Sequence, residues 1–447
     1  MGRAGGRRRG HAPRSVRPAG DGGPVTSTGT VPAPAAADTA RLGPYLAAAL
    51  AAADEDRIVY DLAGIGERYA ALCRQLPRAR VRFAMKACPV DDVLTLLAHR
   101  GAGIDAASPG EAERALRAGI PAGRMHYGNT VKSDQDIAAA HRLGIRDFAT
   151  DSREDVAALA AHAPGARVFC RVTTSGDGAV WALGEKFGCP PGEAVRVLER
   201  ARQAGLVPAG LSVHVGSQQL TARAWHDALA VLAEVLRALM RRGIRPEYVN
   251  LGGGLPALGY LGDDGRPLEP PLDTIFAVIR DGMAGLRRIA GGSLGFVVEP
   301  GRHLVADHGA IRAHVARLAR RRMPDGGRRY WLYLSCGKFN GLYEMDDVRY
   351  RLVFPGRTGP YVPAVVAGPT CDSADTCSPA RGLVPVPETL ASGDPVWVLS
   401  CGAYATSYMT RGFNGIAPLP CFVTGPQGPR PGRRATGRAA DEDSRHG

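Results

Sequence analysis

A chain of 447 residues with 45% hydrophobic content holds enough apolar material for a large core and more than one folded unit. Its formal net charge is +13. Residues 1–40 hold +4 of this and residues 424–447 hold +2, so the body is moderately basic but lacks the aromatic-interleaved basic patch of a nucleic-acid binder. No run of about eighteen apolar residues marks a membrane span, and nine cysteines without a CxxC pair match neither a zinc spacing nor a disulfide framework. No metal, nucleic acid or membrane is therefore expected. The expected setting is reduced and cytoplasmic, since the Arg clusters near the start have no apolar export segment behind them.

In chain order, residues 1–40 are rich in Gly, Arg, Pro, Ser and Thr and are expected to be a disordered tail, as are residues 424–447. Residues 41–61 form an N-terminal segment whose Arg57–Tyr60 run is expected to join a later sheet. Between 62 and 307, short apolar runs alternate with helical patterns. Strands are predicted at Val81–Ala84, Arg167–Val172, Gly210–Val215, Tyr248–Leu251 and Gly295–Glu299. Helices are predicted at Asp91–His99, Pro109–Ala118, Asp134–Leu143, Arg153–Ala161, Pro191–Ala204 and Ala222–Arg242. This cycle predicts a parallel sheet with helical crossovers. About eight such units close into a (β/α)8 barrel, and pattern alone leaves a doubly wound open sheet as the alternative. From 308 to 423 Pro and Gly become frequent, and Arg329–Leu334, Tyr350–Val353, Val362–Ala367 and Pro395–Leu399 predict a mostly β domain.

Most chemically suggestive residues sit where a strand meets its following loop, the rim on which barrel enzymes build their sites. Phe83-Ala84-Met85-Lys86 ends an apolar strand in a lysine, whose pKa is expected to fall by desolvation and so give a usable amine. In isolation, a strand-end lysine reaching solvent reads the same way. Gly252-Gly253-Gly254 can turn backbone N–H groups toward an anion, or be a flexible turn. Glu299-Pro300-Gly301-Arg302 offers a carboxylate for a protonated ring nitrogen and a planar fork for a phosphate, or a surface ion pair. His214 precedes Gly216-Ser217 and can stack on a flat ring, although a satisfied core histidine is common in such a strand. Cys371-Asp372, in the loop Gly368–Asp375, offers a proton donor beside a carboxylate, or a small buried thiol in a turn. Together these supply an amine, a ring-nitrogen partner, phosphate donors and a proton donor, which are the needs of a pyridoxal 5'-phosphate (PLP) enzyme.

The order of these motifs, with Gly103–Ser108, Lys186-Phe187-Gly188, Gly402-Ala403-Tyr404 and Phe413-Asn414-Gly415, resembles the ornithine/diaminopimelate/arginine decarboxylase family of fold type III PLP enzymes. The likeness spans about residues 57–423 and is nearest the bacterial ornithine/lysine branch. The resemblance implies an alanine racemase-like PLP barrel with a C-terminal β domain. It implies Lys86 as the Schiff-base lysine, His214 stacked on the ring and Glu299 on the pyridine nitrogen. Ser217, Gly252, Gly253, Gly254, Gly301, Arg302 and Tyr404 would hold the phosphate, with Asp105 and Arg171 as supporting residues. Cys371 would return a proton to the substrate. Asp372, Phe413 and an acid among Glu344, Asp346 and Asp347 would meet the substrate's side chain. Members are usually homodimers with shared active sites, the Cys371 loop entering the partner's site. The implied activity is decarboxylation of a basic L-amino acid: ornithine to putrescine or lysine to cadaverine, as in polyamine biosynthesis. Alternatives are another diamino acid or a specialised-metabolite precursor, for which the unusual Val180–Leu183 segment leaves room, and a non-catalytic regulatory homologue.

Overall fold

The computed structural model describes residues 42–182 and 185–433. The expected tail at 1–40, residues 434–447 and Leu183 lie outside the described residues.

A helix at Pro44–Ala51 leads into strand β1 (Arg57–Asp61). Ten strands follow: β2 (Ala79–Ala84), β3 (Gly103–Ala106), β4 (Met125–Tyr127), β5 (Asp147–Thr150), β6 (Arg167–Arg171), β7 (Ala179–Trp181), β8 (Val207–Ser212), β9 (Ser217–Gln219), β10 (Tyr248–Asn250) and β11 (Gly295–Val298). All but β7 and β9 close into a parallel barrel in the order β10-β11-β2-β3-β4-β5-β6-β8, which excludes the open sheet. β7 and β9 form a separate antiparallel pair above it. Local chemistry sets the crossovers. Ser108 caps Pro109–Arg117 by accepting from the Glu111 N–H, while the Glu111 carboxylate accepts from the Ala107 N–H just before the cap. Gly119, Gly144 and Gly205 stop three helices with φ near +80 to +90°, where a side chain is strained.

Side chains alternate across each barrel strand, so every second residue points inward. The lower interior is apolar: Ala149, Phe169, Ala209, Tyr248 and Val297 form their own buried cluster. Other buried positions on the barrel strands are polar or charged. Arg82 on β2 reaches across to His126 on β4 and Asp147 on β5, and all three are buried.

Past the barrel, β12 (Gly309–Arg322), β13 (Arg328–Leu334), β14 (Arg351–Val353), β15 (Tyr361–Ala367), β16 (Val384–Pro387), β17 (Pro395–Leu399), β18 (Cys421–Thr424) and β19 (Arg430–Pro431) build a nine-stranded sheet with β1. β1 lies inside it, antiparallel to β12 and parallel to β18. The expected tail from 424 is therefore corrected: Thr424 ends β18, and β19 pairs back on it. Arg430 and Arg433 both bond the buried Asp92 at the start of the helix Asp91–His99, and Asp92's carboxyl is held below its ordinary range against the cost of burial. Composition marks these residues as unable to fold alone, but an anion on the barrel anchors them. Among the described residues, no helix is long and apolar enough to cross a membrane.

Candidate active site

β2 ends in a single 3₁₀ turn, Met85–Ala87, that buries both flanking residues and turns Lys86 into the barrel mouth. About half of the Lys86 side-chain surface stays open (48%), yet its amine end is enclosed and lies 3.1 Å from Asp105 on the neighbouring strand. The expected fall in the Lys86 pKa is corrected. Burial does disfavour the ammonium, but Asp105, with Tyr404 and Glu299 beyond it, outweighs burial and raises the pKa. The Asp105 carboxyl is correspondingly held low against burial by Lys86 and His126.

Asp105 and Glu299 are joined by a residue the motifs did not include. His126 Nε2 lies 3.1 Å from Asp105 Oδ1 and 2.9 Å from Glu299 Oε1. Asn250 donates to the same Glu299 oxygen at 2.5 Å. The carboxylate and imidazole atoms of Asp105, His126 and Glu299 fall within 4.8 Å of one another, a spacing a metal could use. Here Lys86 and Arg82 already bring two cations to the cluster.

His214 follows β8. Burial, then Arg171 and Lys86, push its pKa down to about 3, so the ring is neutral; its Nδ1 accepts from the Gly216 N–H. A Cβ on Gly253 would stand 3.0 Å from His214 Nε2, and one on Gly252, at φ +68°, would strike the Val213 carbonyl at 2.1 Å. The triple glycine is thus a steric requirement for bringing backbone against this ring. Arg171 lies over the Phe187 ring at 4.9 Å, and burial lowers its pKa.

Arg302 is almost fully buried. It donates to Ser217 Oγ at 3.3 Å, to the Tyr260 hydroxyl at 2.9 Å, and through both terminal nitrogens to Glu344 at 2.6 and 2.7 Å. The Trp181 ring covers it at 4.2 Å and Tyr404 flanks it at 4.9 Å. Of the three acids between 344 and 347, only Glu344 enters this site: Asp346 pairs with Lys338, and Asp347 accepts from Trp181 Nε1. Tyr404 adopts φ +58°, and its N–H donates to the Ala87 carbonyl, which ties the β domain to the Lys86 turn.

Cys371, Asp372 and Phe413 are not part of this cluster within the chain. Cys371 is exposed and exchanges two hydrogen bonds with Asn414, while Phe413 packs on Phe339. The Cys371-Asp372 loop borders a wide groove of about 1280 Å³ with Arg317, Arg321, Trp331 and Tyr333. Asp375 is the loop's internal staple, accepting from Lys338 N–H and from both Thr370 donors.

These residues fit PLP. A primary amine faces a carboxylate pair, and a neutral imidazole and a glycine loop make a close-walled slot beside it. A hydroxyl and a guanidinium stand at one end, suited to a phosphate. The comparisons agree. The family described as pyridoxal-dependent decarboxylase, pyridoxal binding domain, matches residues 62–306. The lysine/ornithine decarboxylase of Selenomonas ruminantium is 32% identical over 82% of this chain and 88% of its own. The diaminopimelate decarboxylase of Actinosynnema pretiosum is 31% identical over 77% of this chain and 78% of its own. The structure of SrLDC solved with PLP and cadaverine superposes with a TM-score of 0.74 at 29% identity, covering 86% of this chain and 94% of that one. The chain belongs to the fold type III PLP-dependent decarboxylase family and is a PLP-dependent decarboxylase of basic amino acids.

Proposed function

We propose that the substrate is ornithine or lysine, released as putrescine or cadaverine. The observation that carries this reading is Glu344, a buried carboxylate at the end of the site beside Arg302. A basic side chain needs an anion there; both Glu344 oxygens are paired with Arg302, so Glu344 becomes free for a distal ammonium as Arg302 turns to the phosphate, and Asp372 is the second acid. That the named relatives include a lysine/ornithine decarboxylase supports the same substrate class.

PLP, when bound, supplies an electron sink for the bond pair left on Cα as carbon dioxide departs. Lys86 Nζ is the amine that anchors it, and Asp105 orients that amine. Glu299 would hold a proton on the pyridine nitrogen, with Asn250 and His126 fixing its carboxylate. His214, neutral, would supply a flat face for the ring. Ser217, Gly252, Gly253, Gly254, Gly301, Arg302 and Tyr404 would hold the phosphate, with Arg171 as a supporting residue. Cys371 returns a proton to Cα from the partner subunit, so the active unit is a homodimer with shared sites. Its exposed position on a groove away from Lys86 supports that arrangement.

The test is a panel of ornithine, lysine, arginine and diaminopimelate, with amine products identified by mass spectrometry and the cofactor trapped by borohydride. Putrescine or cadaverine with a label on Lys86 is expected. A preferred product from arginine or diaminopimelate overturns the substrate, and a label absent from Lys86 overturns the anchor.

A further inference from the structure

His126 sits at the floor of the site, completely buried, with four charged groups around it. Arg82 approaches from β2, with Nη1 2.7 Å from His126 Nδ1. Asp105 approaches from β3 and Glu299 from the end of β11, both at Nε2. Lys86 lies just beyond Asp105, and the Phe169 ring packs tilted against the imidazole, with centroids 5.1 Å apart. A guanidinium has only donors, so its contact with Nδ1 is a hydrogen bond only when that nitrogen carries a lone pair. The single proton of the neutral ring is then on Nε2, where both carboxylates accept it. Arg82 is itself fixed, because Nη2 bonds Asp147 at 2.9 Å, and Asp147 in turn accepts from Arg167 at 2.7 Å. Burial and Arg82 pull the imidazole's pKa down while the two carboxylates pull it up, the balance lying above its ordinary value.

We propose that His126 is a positioning residue: its Nε2–H, held in that tautomer by Arg82, bridges Asp105 and Glu299 and keeps both carboxylates ionised and aimed at the cofactor. Without this shared donor Lys86 still pairs with Asp105 and Asn250 still donates to Glu299, but nothing bridges the two acids, and like-charged carboxylates at such range favour one of them taking up a proton. A protonated Glu299 cannot hold the proton of the pyridine nitrogen. The role extends the reading of Glu299 as the ring nitrogen's partner and rests on it.

The test compares His126→Gln, which keeps an N–H donor near the Nε2 position, with His126→Leu, which removes it. Cofactor content, kcat, KM and the pH at which the bound cofactor's visible absorbance changes are followed. Expected in the Leu variant are a kcat lower by about tenfold or more, the weight of one pKa unit, a shifted absorbance titration and a little-changed KM. The Gln variant should recover most of the rate. Equal losses in both variants, or a Leu variant with wild-type kcat and titration, overturn the proposal. Nitrogen-15 NMR of the wild-type chain without cofactor gives an answer even if the Leu variant does not fold. It should show His126 at pH 8 as the neutral Nε2–H tautomer, and an Nδ1–H tautomer overturns the proposal. Because that measurement needs no cofactor, its failure is separable from failure of the Glu299 assignment, which would appear as wild-type cofactor behaviour in Glu299→Gln.

Discussion

Arg302 and Glu344 form a two-pronged ion pair, Nη1 to Oε2 at 2.6 Å and Nη2 to Oε1 at 2.7 Å, with both side chains less than a tenth exposed. The residue proposed for the cofactor's phosphate is thus paired with the residue proposed for the substrate's ammonium, and each anion competes for the same guanidinium. In Glu344→Ala the buried guanidinium loses its main counter-charge, at a cost of about 3 kcal/mol. The variant without cofactor should melt below wild type, and PLP should raise its midpoint by more than it raises that of wild type. Differential scanning calorimetry with and without PLP checks this, and an equal rise in both proteins would remove the competition.

Lys86 and Cys371 are predicted to serve the same active site from different subunits. Lys86→Ala should lose the visible absorbance band, and Cys371→Ala should bind PLP but turn over slowly or misplace the proton. Mixed after co-refolding, the two impaired variants should recover about a quarter of the wild-type rate, the share of sites that random pairing leaves complete. No recovery in a mixture shown to contain heterodimers would place both residues in one subunit's site.

The raised pKa of Lys86 predicts slow capture of the cofactor at neutral pH, because the ammonium must lose a proton before it can attack an aldehyde. Replacing Asp105 by Asn removes the largest contribution that holds the proton on. The pH midpoint for borohydride-trappable capture of PLP by the cofactor-free protein should move down in Asp105→Asn, as read by stopped-flow absorbance.

Three buried or half-buried histidines predict acid sensitivity well above the carboxylate range. Burial, with nearby cations, depresses His214 to about 3, and His303 and His308 to about 4. Each binds a proton near pH 6.5 when unfolded but only near 3 to 4 when folded. Between those values the unfolded state holds more protons, so stability falls as pH drops from about 6.5, by up to about 1.4 kcal/mol per pH unit for each histidine. Urea midpoints of the cofactor-free protein at pH 7, 5.5 and 4.5 should decline accordingly. In His303→Asn, which keeps a donor for the Pro256 carbonyl that Nδ1 now meets at 2.7 Å, the decline should be shallower.

The barrel was legible in the sequence from its apolar strands and capped helices, but β3, β4 and β5 were not. Each is three or four residues long, and its inward positions carry Asp105, His126 and Asp147. An apolar run interrupted by charge does not read as a buried strand, and the charge is tolerated because other strands supply partners: Arg82 and Arg167 for Asp147, Arg82 for His126, and Lys86 for Asp105. The same polar interior hid His126 from motif reading. The only signal was a histidine between Met125 and Tyr127, just before Gly128-Asn129. β12 was missed for a related reason. Its last residues, Arg320–Arg322, are exposed, while its first half is buried against β1 and β17. The position of Lys86 was legible, but its proton affinity was not, because that depends on carboxylates brought together only by barrel closure.

The placement of β1 has a consequence for the order of assembly. Ile58 pairs with Ile311 on one side and Cys421 on the other. During synthesis the strand therefore leaves the ribosome long before either neighbour exists, while the barrel has all its strands once β11 emerges, just ahead of β12. The barrel can close cotranslationally, and the sheet must wait for the last strands to emerge. Until β12 emerges Ile58, Val59 and Tyr60 are unpaired on both sides, and until β18 emerges they keep one open apolar edge, exposed to chaperones and to misassociation between nascent chains.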